Sequence, residues 1–193
     1  MKNTLTHLNW WKSLSPQWRQ AFAMSVLLHS NEPTEDEIEQ LLKMQVLRLA
    51  GPTAPFSNCS IELTDLSGIA AMHRLETMIV THHAIETIGE VAALTQLKSL
   101  FLFNNRINSL EGIEGLGNLE QLYVQCNQLS SIKPIRNLLN LEEVFISDNN
   151  LTSLDGLTEA HADNLKKFVC LPNAKLKQKE IIHVERNLGI ICR

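Results

Sequence analysis

A repeat with a period of 22 residues restricts the fold of this chain more than any other feature of its sequence. Three segments that start at Leu94, Leu116 and Leu138 align without a gap, and a fourth fits upstream from Met72. The apolar positions of these segments form columns, which are Leu75–Leu97–Leu119–Leu141, Met78–Leu100–Leu122–Val144, Val80–Leu102–Val124–Ile146, Ile85–Ile107–Leu129–Leu151, Ile88–Leu110–Ile132–Leu154 and Val91–Ile113–Ile135–Leu157. A unit of this size cannot bury its own apolar face, so the columns predict stacked units that share one continuous core.

Each unit contains a short leucine-x-leucine alternation, which places every second side chain on the same face of a strand. Stacking these strands at a constant spacing gives a parallel sheet, and the rest of each unit is too short to return through a long helix. A polar column follows the strands and consists of His83, Asn105, Asn127 and Asn149. We expect these side chains to hydrogen-bond buried turn backbone, because an asparagine amide both donates and accepts. His83 is interpreted as a hydrogen-bonded histidine in a slightly different turn.

The pattern L-x-x-L-x-L-x-x-N-x-I/L-x-x-I/L, which runs cleanly from Met72 to Leu157, resembles the 22-residue class of leucine-rich repeats. Bacterial internalins and the repeat-type regulatory subunit of a eukaryotic protein phosphatase carry repeats of this class. The resemblance implies an α/β solenoid, shaped as a horseshoe with a parallel sheet on its concave face and short extended or 3₁₀ segments on its convex face. It also implies binding rather than catalysis. Because internalins carry a secretion signal and none is recognised here, we do not expect an internalin-like role in invasion.

The open ends of such a solenoid would expose its core, so we expect a cap at each end. The N-terminal helical cap is assigned to residues 1–43, with one helix that starts at Ser15 and a second that starts at a capping box beginning with Thr34. These helices resemble the cap of the internalins. Trp10 and Trp11 precede the first predicted helix and are interpreted as packing residues of the cap.

The leucine-rich repeats are assigned to residues 44–176 and a C-terminal cap to residues 177–193, all within one structural domain. In the first repeat a longer loop, AGPTAPFSNCS, replaces the asparagine turn, and we interpret it as a loop without a site of its own. Near the other end, the strand-and-turn pattern recurs at Phe168 and Asn173 with two inserted residues. A helix over Lys177–Asn187 and a last short strand, GIICR, are predicted to close the sheet.

The outward-facing strand residues of the concave face supply the candidate binding site. Two exposed columns are predicted, which are Arg48, Ile79, Phe101, Tyr123, Phe145 and Val169, and beside them Ala50, Thr81, Phe103, Gln125, Ser147 and Leu171. The chain has six Phe and one Tyr, and four of these seven residues lie in the two columns. An apolar patch with a polar rim is typical of an interaction surface. The predicted partner-binding residues are therefore Phe101, Phe103, Tyr123, Phe145, Ile79, Lys98, Gln125, Glu143 and Lys167.

The alternative interpretation of these columns is structural, since neighbouring aromatic side chains in a sheet stack on one another and can simply stiffen it. Catalytic and metal sites are not predicted. His82 and His83 are adjacent on a strand and point to opposite faces. Cys126 occupies the column of His82, but the two lie two strands apart, about 9.6 Å at ordinary strand spacing, which is too far for a nucleophile and its base.

The predicted function is that of an adaptor or regulatory module that binds another protein on the concave face. The alternative is a structural protein that forms a weak homo-oligomer through the same apolar strip. We expect no enzymatic activity, no cofactor and no metal. The net charge of −4 argues against binding to nucleic acid or to an anionic membrane. The four widely spaced cysteines are typical of reduced thiols in a cytoplasmic protein.

Overall fold

The computed structural model describes residues 2–193, with side chains described from residue 7 onward. Four α-helices lie at the two ends of the chain, namely α1 Lys2–Ser13, α2 Pro16–Phe22, α3 Glu35–Lys43 and α4 Gln178–His183. Six β-strands lie between α3 and α4, namely β1 Val46–Ala50, β2 Thr77–Thr81, β3 Ser99–Phe101, β4 Gln121–Tyr123, β5 Glu143–Phe145 and β6 Lys167–Val169. None of the helices within residues 2–193 is long and apolar enough to cross a membrane.

The strands form one parallel sheet in chain order, in which each strand pairs with the next. The register aligns Met78 with Leu100, Leu122 and Val144, so strand neighbours are 22 residues apart as the period predicts. Between β5 and β6 the register advances by 24 residues, from Val144 to Phe168, which accommodates the two inserted residues. The predicted parallel solenoid is therefore confirmed.

The six apolar columns are buried and belong to one core that runs along the whole solenoid. Each return path on the convex side is compact, and several contain a short 3₁₀ turn, namely Ser67–Ile69, Gly89–Ala93, Lys133–Asn137 and Glu159–His161. These turns direct an apolar residue inward, as Val91 and Ile135 do. Because each unit contributes only a strand and a turn, its core exists only where neighbouring units stack.

The polar column binds turn backbone, as expected. In a representative unit, the Asn127 amide oxygen accepts a hydrogen bond from the Ile107 backbone N–H at 2.9 Å. The Asn127 amide nitrogen donates to the carbonyls of Leu102 at 3.0 Å and Val124 at 3.1 Å. Each asparagine thus joins two successive units through backbone groups that have no strand partner.

His83 satisfies the equivalent groups with its ring. The Leu63 backbone N–H donates to Nδ1 at 3.1 Å, so the proton of the neutral ring is on Nε2, which lies 3.3 Å from the Leu49 carbonyl. Burial lowers the pKa of His83 to about 4. The interpretation of His83 as a buried, hydrogen-bonded residue agrees with this geometry.

The N-terminal end differs from the sequence interpretation by one helix. Trp10 and Trp11 do not precede the first helix but lie within α1, and both rings contact Phe22 of α2 with centroids 5.8 Å and 6.5 Å away. No acidic residue occupies the first turn of α1, so the usual signal of a helix start is missing. The next two helices begin as predicted, after an N-cap at Ser15 and after a capping box at Thr34.

At the C-terminal end, α4 continues into a π-helical turn over Val184–Leu188. The expected last strand is reduced to a single parallel bridge between Phe168 and Cys192. Two backbone N–H groups of the β6 edge, those of Cys170 and Leu171, donate to the Arg193 carbonyl at 2.8 and 2.9 Å. The Ile191 side chain next to this bridge is 64% exposed.

Candidate functional site

The centre of the concave face is an aromatic column formed by Phe101, Tyr123 and Phe145, which are strand neighbours on β3, β4 and β5. The ring centroids of Phe101 and Tyr123 are 4.7 Å apart, and those of Tyr123 and Phe145 are 4.2 Å apart. Lys167 ends the column with its Nζ atom 4.7 Å from the Phe145 centroid, in a cation–π contact. The rings are half-buried rather than fully exposed, because each ring covers its neighbours.

A polar chain runs along one side of the aromatic column. Ser99 donates to the Gln121 amide oxygen at 2.7 Å, and the Gln121 amide nitrogen lies 3.5 Å from the Glu143 carboxylate. The Tyr123 hydroxyl donates to the same carboxylate. Burial, the hydrogen bond to Glu143 and its negative charge together raise the pKa of Tyr123 to about 12. The Tyr123 ring is therefore neutral and held in one orientation.

The three charged residues predicted for the rim, Lys98, Glu143 and Lys167, differ in whether they already have a partner within this chain. Lys98 forms an ion pair with Glu76 at 2.8 Å, which raises its pKa. Glu143 is occupied by the Tyr123 hydroxyl. Lys167 contacts the Phe145 ring, and no carboxylate among the described residues lies within ion-pair distance of it. Of the two predicted rim lysines, Lys167 is therefore the one whose charge is available to pair with a carboxylate of a partner.

Residues that directly follow the second outward column have a left-handed backbone conformation. His82, Asn104, Cys126 and Asp148, which each precede a member of the polar column, have φ values between 52° and 60°. Phe103 meets the His82 ring edge-on with centroids 5.6 Å apart, and the Asn104 amide nitrogen lies 3.0 Å from His82 Nε2. Gln125 is half-buried, and its amide oxygen has no hydrogen-bond partner among the described residues. Most residues avoid this backbone conformation, which Asn and Asp tolerate better than others.

The loop after β1 adds a feature that sequence reasoning missed. Residues 51–60 fold back beside the concave face, where Pro55 and Phe56 line a recess of about 410 Å³ with Phe103 and His82. The Phe56 side chain is 83% exposed. The sequence pattern favours a loop without a site here, and the Pro-Phe pair among otherwise small residues is the sequence signal for the recess.

The candidate nucleophiles and metal ligands are not brought together. Cys126 is exposed in one turn, while His83 is buried and hydrogen-bonded, and His73 lies apart with its Nδ1 3.3 Å from the Ala93 carbonyl. Partial desolvation at the turn and the negative charge of Asp148 raise the pKa of Cys126 and thereby disfavour its thiolate. Within the part of the chain that the structure describes, no three His, Cys, Asp or Glu side chains form a metal-binding group.

Comparison with known proteins agrees with this architecture. The family model of leucine-rich repeats in two copies matches residues 95–137, which hold β3, β4 and most of their return paths. An internalin from Listeria monocytogenes with a solved structure is similar to 60% of this chain at 26% sequence identity and a TM-score of 0.52. This chain has the leucine-rich-repeat fold. Proteins of this class are generally binding scaffolds, commonly for other proteins.

Two further structures share the leucine-rich-repeat fold at lower identity. A leucine-rich-repeat protein of Leptospira interrogans aligns with 82% of the chain at 19% identity and a TM-score of 0.57. The ectodomain of the receptor kinase SOBIR1 from Arabidopsis thaliana aligns with 66% of the chain and 69% of its own length, at 21% identity and a TM-score of 0.55. The chain spans 37% of the internalin and 45% of the Leptospira protein. No curated protein matches its sequence.

Proposed function

We propose that this leucine-rich-repeat protein is a cytoplasmic adaptor or regulatory module without catalytic activity, and that it binds a partner protein on its concave face. The observation that carries the proposal is the aromatic column. Three rings from adjacent strands form one continuous apolar surface at the centre of the sheet, with a polar chain on one side and an unpaired lysine at the end. Buried aromatic anchors inside a polar rim are the usual core of a protein interface.

The packing of the rings favours recognition as well as stability. Phe101, Tyr123 and Phe145 hold one another in place, so a partner that covers them restricts few additional rotamers. Each aromatic side chain can bury roughly 150–250 Å² in a contact. The rings are half-buried, so part of each ring is still exposed for a partner to cover. Preorganised rings of this kind bind at a low cost in conformational entropy.

Affinity capture from the native cell lysate tests the proposal. The baits are the wild-type protein, the Tyr123→Ser/Phe145→Ser double variant and a matched control, Leu139→Ser, which removes a 42%-exposed apolar side chain that is not among the predicted binding residues. We expect a partner that wild type and Leu139→Ser retain and that the double variant loses. The double variant forfeits ring contacts of about 0.5–1.5 kcal/mol per pair, so circular dichroism must show that it is folded.

Equal capture by all three baits would mean that the aromatic column is architectural. Sedimentation velocity over a concentration series separates partner binding from self-association. A concentration-dependent dimer in the wild type that the double variant abolishes would replace the adaptor role by homo-oligomer formation through the same strip.

A further inference from the structure

The loop formed by residues 51–60 is anchored to the outer edge of the sheet by a side chain that replaces a neighbouring strand. β1 is the first strand, so its outer edge has no strand partner. The Asn58 amide oxygen accepts from the Ala50 backbone N–H at 2.7 Å, and its amide nitrogen donates to the Arg48 carbonyl at 2.9 Å. The Cys59 backbone N–H adds a bond to the Ala50 carbonyl at 3.0 Å. These bonds protect the edge and hold the loop in one position.

The close approach of the loop to the next repeat also requires a specific residue. A side chain at Gly51 would overlap the carbonyl oxygen of His82, so only glycine allows the two turns to meet. The Gly51 backbone N–H donates to the Thr81 carbonyl at 2.8 Å. Both ends of the loop are therefore hydrogen-bonded to the sheet. These bonds fix the position of the apolar Pro-Phe pair in the middle of the loop.

The recess between this loop and the concave face has the size and lining of a site for apolar side chains. Its lining combines Pro55 and Phe56 of the loop with side chains of the next two repeats, namely Ile79, His82 and Phe103. Its volume of about 410 Å³ falls within the range of small ligand sites. The 83% exposure of Phe56 means that packing in this chain does not account for an aromatic residue there.

The recess is lined by a cationic side chain and by no acidic side chain. The exposed Arg48 guanidinium donates one hydrogen bond to the Phe56 carbonyl at 2.6 Å, and a guanidinium has further N–H groups to offer. No Asp or Glu lines the recess, and no carboxylate among the described residues pairs with Arg48. Burial lowers the pKa of His82, so that ring is neutral near pH 7. The complementary ligand is therefore both apolar and anionic.

We propose that the recess binds an extended acidic-apolar segment of the partner protein. An aromatic or aliphatic side chain of that segment lies between Phe56 and Phe103, and a carboxylate close to it in sequence pairs with Arg48. This inference rests on the proposed function, because Phe103 places the recess next to the aromatic column on the same concave face. The inference extends the proposed function by naming the chemistry of the partner segment and by adding a contact residue, Phe56, that lies outside the regular repeat pattern.

A library of random dodecapeptides displayed on phage is the probe, panned on the intact 193-residue protein. We expect the enriched peptides to share an aromatic or aliphatic residue with an Asp or Glu within a few positions. The best peptide is then labelled, and its Kd is measured by fluorescence anisotropy with Arg48→Gln, Phe56→Ala and the control Arg136→Gln, which changes an exposed arginine on the convex side.

Each recess variant is expected to weaken binding of the peptide about tenfold, while Arg136→Gln leaves the Kd unchanged. Replacing the acidic residue of the peptide by its amide should weaken binding to wild type but not further to Arg48→Gln, since the same ion pair is already lost. Arg48→Gln retains a donor for the Phe56 carbonyl, and Phe56 is exposed, so both variants should fold.

Several results would overturn the inference. Peptides that lack a shared acidic residue, no enrichment at all, or a Kd that neither recess variant changes would each do so. Loss of binding only in Tyr123→Ser/Phe145→Ser would reject the recess and leave the proposed function in place. A wild-type dimer that Phe56→Ala dissociates would show that a second copy of this chain occupies the recess instead.

Discussion

Truncation of one asparagine in the polar column, Asn127→Ala, should destabilise the whole solenoid although no apolar contact of the core is removed. The substitution deletes the acceptor for the Ile107 backbone N–H and the donor to the carbonyls of Leu102 and Val124. All of these groups lie in buried turns between successive repeats. A buried backbone group without a partner costs the full desolvation of that group.

The magnitude follows from which of these groups keep another partner. The Leu102 carbonyl also accepts from Asn105 at 3.0 Å, and the Val124 carbonyl also accepts from Asn149 at 3.0 Å. The Asn127 amide also donates to the Gln125 carbonyl at 3.3 Å, which keeps a second bond from the Asn104 N–H. Only the Ile107 N–H is therefore left unpaired, at about 1–3 kcal/mol, and the loss of the three bonds that the amide donates adds about 1 kcal/mol. We therefore expect a decrease of about 2–4 kcal/mol in the free energy of unfolding, a large share of the roughly 5–15 kcal/mol typical of a domain.

Urea unfolding with two probes measures this effect. Far-UV circular dichroism reports on the whole chain, whereas tryptophan fluorescence reports on the N-terminal helices, because Trp10, Trp11 and Trp18 are the only tryptophans of the sequence. Coincident shifts of both transitions indicate that the solenoid and its helices unfold together. A shift of the dichroism transition alone would show that the repeats unfold separately.

The matched control is Asn140→Ala, an exposed asparagine in the turn before β5 that donates to the Gly117 carbonyl at 2.7 Å. Water can replace that bond, so we expect a loss below about 1 kcal/mol. Equal losses from Asn127→Ala and Asn140→Ala would refute the reasoning, because the polar column would then contribute no more than a surface hydrogen bond.

Two further variants test the polar column and the contact between the N-terminal helices and the first repeat. The folded chain keeps His83 neutral down to about pH 4, whereas the unfolded chain protonates it near pH 6.5, so stability should fall by about 1–2 kcal/mol between pH 7.5 and pH 5. His83→Asn should reduce this dependence in urea titrations at the two pH values, and an unchanged dependence would contradict the assignment. Gly68→Ala should cost about 1–3 kcal/mol, since the added carbon overlaps the buried Trp18 ring, while Gly117→Ala faces open space and should leave the melting temperature within 2 °C of wild type.

Much of the solenoid could be predicted from the repeat, because the strand register and the buried columns both follow its period of 22 residues. The alignment of Met78, Leu100, Leu122 and Val144 in the sequence is their alignment in the sheet. The structural role of Asn127 could be read in the same way. An inward polar residue that recurs at each turn must meet backbone groups that recur there as well.

The features that sequence reasoning missed depend on contacts between residues distant in sequence or without a repeating pattern. Helix α1 carries no start signal, and its tryptophans are placed by contact with Phe22. The loop of residues 51–60 occurs once, so no column reveals its partners, and its position rests on the bonds of Asn58 to β1. The site residues predicted on the concave face remain a prediction, which the binding experiments address.

The sequence by itself determined that the chain stacks short strands into a parallel solenoid, because a unit of 22 residues can bury its apolar side chains only against identical neighbours. It also placed Phe101, Tyr123 and Phe145 on the outward face, since side chains alternate along a strand. The prediction that Ala50 and Thr81 are exposed was wrong, because each is only 3% exposed and lies under the loop of residues 51–60 at the recess. Only the tertiary structure decided that the rings of Phe101, Tyr123 and Phe145 cover one another, and that Phe56 and Phe103 line the same recess. Ring packing depends on the spacing of adjacent strands, and the position of the loop depends on a sheet edge that exists only after folding.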